Sequence, residues 1–331
     1  MASRPTIYDV AERAGVSIST VSLALNTPAR VHEATLSRIM DAVDELGFVP
    51  KTEAVTRARR RVDRIGVIAP FTSHPTFARR LNGVLRVAAD ERFEVVVYDH
   101  ESAATSRLVT LPLTRPVDGL IVMSVPFNDD VAERLLDQQM TTVLVELHHR
   151  RFSSVTIDDA AGGRMVAEHL LAKGHRRFAF IGQAPKVRDS YVLQSPARLN
   201  GFRERLQAAG VELRDEDVRT VEHSFDAARA AAQELIGRPD RPTAIFGHDD
   251  VLASGALRAG RDLGLDVPGD LAVVGFDDSD VATPLDLTTV RQPLEESGAV
   301  ATDTLLAQLA NPRSSVRETS LRLTLVERGT T

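Results

Sequence analysis

TIYDVAERAGVSISTVSLALN, residues 6–26, reads as two short helices joined by a glycine turn. Thr6 stands three places before Asp9, the spacing of a capping box at a helix start. Val10, Ala11 and Ala14 fall on one helical face. Gly15 permits a tight turn that a residue with a Cβ resists. Ser17 is placed to cap the second helix by accepting from the backbone near Thr20. From Gly15 to Asn26 there is no charge, and three helical residues offer only a small hydroxyl. A third helix, about His32 to Leu46, has Leu36, Ile39, Met40, Val43 and Leu46 at helical spacing and ends at Gly47. A head this small has little core, so each small residue at a helix crossing matters.

The remainder is too long for one ordinary domain: the chain has 331 residues, 43% of them hydrophobic and 26% charged, which fits a packed multi-domain globule. It contains no cysteine, which excludes disulfides and thiolate metal sites and fits a reducing compartment. The start MASRPTIYDV lacks an apolar signal core, and no later stretch is long and apolar enough to span a bilayer, so a cytoplasmic protein with no membrane partner is expected. The net charge of −6 is unevenly spread. Residues 1–61 hold 9 Lys+Arg against 7 Asp+Glu, and the rest hold 31 against 39. Residues 51–64, KTEAVTRARRRVDR, carry six basic and two acidic side chains. A basic head and neck on an acidic body binds a polyanion locally; a charged linker is the plainer reading of the same residues.

From Arg64 the pattern changes. Short apolar runs alternate with amphipathic helices. RIGVIAP, FEVVVYD, GLIVMS and TTVLVE form one series, and RFAFIG, TAIFG and LAVVGF a second. Strands this continuously apolar are buried on both faces, which predicts two α/β lobes with parallel sheets. The first crossover is expected near Ile157-Asp158 and the second at Leu287-Thr288-Thr289-Val290. Helix 294–311 then returns to the first lobe, and a final strand near Leu321-Val326 to the second. Ligands in such sheets bind at the carboxyl ends of strands.

The quoted stretch strongly resembles the helix-turn-helix of the lactose-repressor/purine-repressor family. ELGFVP, DGLIVM, HLLAKGHRRFAFIG, ARLNGF, RPTAIFGHDD, VPGDLAVVGFDD and LTTVRQP follow the family plan in order along nearly the whole chain. The resemblance implies a helix-turn-helix DNA-binding domain over 1–49, a hinge over 50–62, and a periplasmic-binding-protein-like effector and dimerisation domain over 63–331. Its lobes are expected at about 63–157 with 289–318, and about 158–288 with 319–328. It implies a ligand-responsive transcriptional regulator, most often a repressor, acting as a homodimer on near-palindromic double-stranded operator DNA. No heptad tail follows Leu325-Val326-Glu327-Arg328, so a coiled-coil tetramer is not expected.

A second helix of this motif lies in the major groove with its N-terminal residues at base edges. By position, Ser17, Thr20, Ser22 and Asn26 look like backbone contacts, and Ile18, Ser19 and Leu23 like the base-facing set. Tyr8 and Arg30 complete the implied contacts of the head, and Lys51, Arg57, Arg59, Arg60 and Arg61 those of the neck. Many family members carry arginine at the place of Leu23. Leucine cannot hydrogen-bond a base, though it can contact a thymine methyl. Arg57 falls where a leucine often wedges into the minor groove, and could follow a narrow groove instead; Lys51 replaces a common asparagine.

The implied effector set is Phe77 as an aromatic platform, Glu146 where Asp or Asn is common, Arg198 in SPARLNGF, His223 at an often aromatic place, His248 replacing a common Asn before Asp249, Asp277 in GFDD, and Gln292. An arginine, carboxylates and an amide around an aromatic ring suit several hydroxyls, so a sugar or polyol is expected; the arginine could equally clamp a carboxylate. The bland readings are that Phe77 is core, that Glu146 and Arg198 pair with other side chains, and that Asp277 or Asp278 caps a loop. Neither His248-Asp249-Asp250 nor Asp277-Asp278-Asp280 has metal-ligand spacing, and no phosphate loop, nucleophile elbow or zinc-protease helix appears. No cofactor, metal or catalysis is expected. The rival readings are a secreted solute-binding protein, which needs a signal peptide and no head, and an enzyme with an accessory DNA-binding head, which would turn over its ligand.

Overall fold

The computed structural model describes residues 5–48, 63–70, 75–99, 117–125, 127–184 and 194–331. The neck residues Lys51, Arg57, Arg59, Arg60 and Arg61 lie outside them. The described chain falls into two compact units, 5–155 with 295–319, and 156–294 with 320–331.

In the first unit, α1 (Ile7–Ala14), α2 (Ile18–Asn26) and α3 (Glu33–Leu46) form the head. Their apolar side chains make a cluster of their own around Val10, Val21, Ala24, Ile39 and Val43. The Asp9 carboxylate accepts from the Thr6 backbone N–H at 2.6 Å and from its hydroxyl at 2.7 Å, which fixes the start of α1. Gly15 ends α1 at φ 65°. A Cβ there would meet nothing within 4 Å, so glycine is needed for the left-handed backbone and not for space. The Ser17 hydroxyl accepts from Thr20 N–H, the expected cap of α2.

The body of this unit runs β1 (Arg64–Ala69), α4 (Pro75–Asp90), β2 (Glu94–Asp99), β3 (Gly119–Met123), α5 (Asp129–Asp137), β4 (Thr141–Val145) and β5 (Ser153–Ile157). The second unit runs α6 (Asp159–Ala172), β6 (Phe178–Gln183), α7 (Ser195–Ala208), β7 (Val218–Val221), α8 (Phe225–Ile236), β8 (Ala244–Gly247), α9 (Asp250–Asp262), β9 (Ala272–Asp277) and β10 (Thr288–Arg291). The chain then forms α10 (Leu294–Ala310) in the first unit, β11 (Glu318–Leu321), and β12 (Thr324–Val326) in the second.

The two sheets have strand orders β11-β5-β4-β3-β1-β2 and β12-β10-β9-β8-β6-β7. The pairings of β1–β5 and of β6–β10 are parallel, with β12 antiparallel on β10. Both sheets thus repeat one doubly wound order, and strands β3, β8 and β9 are buried along their whole length. Two differences from the expected crossovers stand out. Thr288–Arg291 is a strand of the second sheet, and the division falls between Leu294 and Glu295, later than the expected 289. The single final strand expected near 321–326 is two: β11 joins the first sheet and β12 the second.

The repeat extends to how each body packs its first helix after its first strand. A Cβ on Gly298 of α10 would lie 2.0 Å from the Arg80 carbonyl oxygen on α4, and one on Gly163 of α6 would lie 2.0 Å from the Arg198 carbonyl oxygen on α7. Glycine alone lets each helix pair approach this closely, and the approach fixes where Arg80 and Arg198 stand.

Candidate nucleic-acid interface and ligand site

On α2, Val21 and Ala24 are wholly buried, whereas Ile18 and Leu23 are 41% and 37% exposed. Ser17 and Ser19 are exposed too, and Thr20 and Ser22 half-buried. Neither Ile18 nor Leu23 joins the head cluster. Tyr8 on α1 is 66% exposed, and Arg30, in a 3-10 turn over Pro28–Arg30, is exposed. The Asn26 side chain lies outside the described atoms. The helix start is a knot of hydroxyls: Ser17 Oγ lies 2.7 Å from both Ser19 Oγ and Thr20 Oγ1, and 3.1 Å from the Thr20 N–H that donates to it.

In the first unit, Glu146 follows β4, at φ 55°, and is buried. Arg80 Nη2 donates to its Oε1 at 3.0 Å, and the guanidinium sits 5.9 Å from the centre of the Phe77 ring. Phe77 and Glu146 are thus brought together through Arg80, a residue sequence reading missed. Arg80 is one helical turn beyond Phe77 and occupies on α4 the glycine-facing place that Arg198 occupies on α7; the repeated strand order was the signal that could have found it.

In the second unit, the expected residues collect at the carboxyl ends of the strands. His248 and Asp249 follow β8, Asp277 ends β9 at φ 104°, and Gln292 follows β10. Arg198 is 4% exposed. Its Nε donates to Asp159 at 2.8 Å, and its Nη1 donates to the His248 carbonyl at 2.7 Å and lies 3.6 Å from Asp277. Its guanidinium stacks 3.7 Å above the centre of the Phe276 ring. Burial alone would lower its pKa; the carboxylates of Asp159 and Asp277, with Asp249 behind them, raise it above the ordinary value. Gln292 Nε2 donates to Asp277. Asp249 caps α9 by accepting from Leu252 N–H at 2.9 Å, and its other oxygen meets His223 Nε2. Burial pushes the Asp249 carboxyl up, but His223, His248 and the Leu252 N–H together hold it well below the usual range. Asp159, at the start of α6, was not anticipated; it is the first helical residue after the crossover, within the Ile157-Asp158-Asp159 run.

Asp250 is the other unforeseen group. It is 1% exposed; Ser279 N–H donates to its Oδ2 at 2.6 Å and the Thr289 hydroxyl lies 2.5 Å from its Oδ1. Burial first, and then the Asp277 charge, push its pKa up to about 8. The folded state therefore keeps a proton that the unfolded chain gives up near the ordinary value of 3.8. Between those two values the native state binds more protons, so stability falls as pH rises through that window. Chemical denaturation from pH 5 to 8 should show this fall, and Asp250→Asn, which mimics the protonated form, should flatten it. An equal slope in the variant sinks the assignment.

Among the described residues no group of three or more His, Cys, Asp or Glu side chains could hold a metal ion, and no helix is long and apolar enough to cross a membrane. The model for "Bacterial regulatory proteins, lacI family" matches residues 6–51, and that for "Periplasmic binding protein-like domain" matches residues 167–331. The HTH-type transcriptional regulator DegA of Bacillus subtilis (strain 168) is 31% identical over 306 residues, 89% of each chain. The chain belongs to the LacI family. It is therefore a DNA-binding transcriptional regulator and not an enzyme. Two solved structures of LacI-type regulators agree along the length of the chain. A transcriptional regulator CelR–cellobiose complex shares 30% identity at TM-score 0.72, covering 99% of this chain and 100% of that one. The lac repressor dimer bound to operator and the anti-inducer ONPF shares 26% identity at TM-score 0.73, covering 99% of each.

Proposed function

We propose that this LacI-family regulator is a cytoplasmic, effector-responsive repressor that binds a near-palindromic operator as a homodimer, with a sugar or polyol as its effector. The observation that carries the DNA half is the split of α2 into a buried face, Val21 and Ala24, and an outward face ending in Ile18 and Leu23. One head spans too few base pairs to specify a site. Two heads on a two-fold body read two half-sites, so the protein symmetry is mirrored in the DNA. In this reading Tyr8, Ser17, Thr20, Ser22, Asn26 and Arg30 engage the backbone and Ile18, Ser19 and Leu23 the bases.

The ligand half rests on two arginine–carboxylate sets, Phe77–Arg80–Glu146 with an aromatic ring in one unit, and Arg198–Asp277–Gln292 with an amide, beside His223, His248 and Asp249, in the other. These groups hold one another within each unit. A polyhydroxy ligand exchanges such bonds for bidentate ones of its own, and cellobiose in the CelR complex is a ligand of that kind. The ligand changes operator affinity only through different affinity for two states of the body. A thermal-shift series of sugars, polyols, purines and small acids tests this directly: a true ligand at 100 times its dissociation constant adds about 2.7 kcal/mol. A hit that leaves operator affinity unchanged, or a monomer by light scattering at saturating operator, refutes the reading.

Leu23→Arg gives a further expected outcome. The arginine adds a bidentate donor at an exposed position, so selection from a random DNA pool should move one base pair per half-site toward guanine, by about 1–3 kcal/mol per good contact. A folded variant with an unaltered site at every position would show that Leu23 does not face a base.

A further inference from the structure

The outward face of α2 has an unusual chemistry for a helix that meets DNA. It carries neither acidic nor basic residues in its first or last turn. Its hydroxyls are largely committed to one another. Ser17 Oγ takes the Thr20 N–H and shares its remaining donor and acceptor with Ser19 and Thr20. A hydroxyl has one donor and two acceptor sites, so the Ser17 hydroxyl is filled and must release a neighbour to engage a phosphate, and one of the three sites of Ser19 is used. Among the described residues of α2, the exposed apolar contact area is the branched tips of Ile18 and Leu23, with Ser19 exposed between them. At 100° and 1.5 Å per residue the two lie about 140° apart around the helix and about 7.5 Å apart along it. They flank the outward face and fall on different base pairs.

Branched apolar tips cannot distinguish a donor from an acceptor. In the major groove the one apolar feature of a base pair is the C5-methyl group of thymine. Cytosine methylated at C5 presents the same methyl at the same place, with the polar pattern of the pair reversed.

We infer that this chain reads C5-methyl groups as such, through Ile18 and Leu23, and that its operators accept 5-methylcytosine in place of thymine at the positions those side chains cover. Cytosine methylation then becomes an input to the regulator: a half-site with cytosine at such a position is weak when unmethylated and strong when methylated. This rests on the reading of α2 as the base-facing helix.

The test uses the full-length chain and the operator selected from a random pool. At each thymine of the half-site, four pairs are compared by fluorescence anisotropy: T·A, U·A, C·G and 5-methyl-C·G. Methyl reading gives T·A close to 5-methyl-C·G, with U·A and C·G both weaker, by about fourfold per methyl lost and about fifteenfold when both half-sites change. Reading by hydrogen bonds gives the opposite pairing, T·A with U·A and C·G with 5-methyl-C·G, and overturns the inference. A selected site with no thymine or other C5-methyl within the α2 footprint overturns it as well. Leu23→Ala and Ile18→Ala, each shown to be folded by its melting curve, should each erase the methyl preference at one position and keep it at the other. If the pool yields no preferred sequence at all, it is the operator reading that fails, and the methyl inference falls with it.

Discussion

Arg198→Ala lowers the stability of the protein by about 3–5 kcal/mol, the cost of removing one partner from a buried ion pair. At about 2–4 °C per kcal/mol for a unit of this size, the melting temperature falls by roughly 10 °C. Asp159 and Asp277 are left facing each other's charge at 6% and 4% exposure, and the Phe276 ring loses the cation above it. Below the lowered transition the head still binds DNA, because its core cluster is its own, but the response to ligand is lost. Asp159→Asn combined with Arg198→Met removes one of the two unpaired carboxylates and should recover part of the stability, since buried pairs replaced as a whole by neutral groups cost little. Calorimetry on both variants decides the matter: a drop below about 2 °C in the single variant means that Arg198 does not anchor this cluster.

Arg59, Arg60 and Arg61 replaced together by alanine should flatten the dependence of operator affinity on salt. Each phosphate contact contributes about 0.9 to the slope of log affinity against log salt. Three arginines in each of two protomers then account for a slope of about 5, or about three decades of affinity between 50 and 200 mM salt. An unchanged slope makes these arginines spectators. Arg57 is separable from them. If it follows a narrow minor groove, exchanging central A·T pairs for G·C weakens the wild type more than Arg57→Leu.

Where the sequence was readable, it was because apolar periodicity and turn chemistry agree. Val10, Ala11 and Ala14, the Gly15 turn and the Ser17 cap all point to one head, and the continuous apolar runs to parallel strands buried on both faces. β10 was unreadable for the converse reason. Thr288 and Thr289 are wholly buried yet polar: Thr288 bonds within the second unit to the Arg328 carbonyl and to Thr331, and Thr289 to Asp250. A strand buried through its hydrogen bonds has no hydrophobic signature, so it passed for a crossover. The candidate site divides in the same way. Arg198 and Asp277 sit in distinctive local runs. Arg80 and Asp159 matter only through partners 66 and 39 positions away, which no local pattern reports. The bland reading of Glu146 and Arg198, that they pair with other side chains, holds: Arg80 donates to Glu146 and Arg198 to Asp159.

The helix α2, ISTVSLALN, carries no charge at all, whereas residues 51–64 carry six basic side chains. In the proposed reading, ionic strength acts chiefly on the phosphate contacts of the neck, while the base preference set by α2 rests on side chains without charge. On that reading, added salt should weaken binding to different operators by a similar factor and leave the order of their affinities unchanged. The ranking of operators would then be written in the DNA and the α2 face, and the absolute affinity in the ionic conditions.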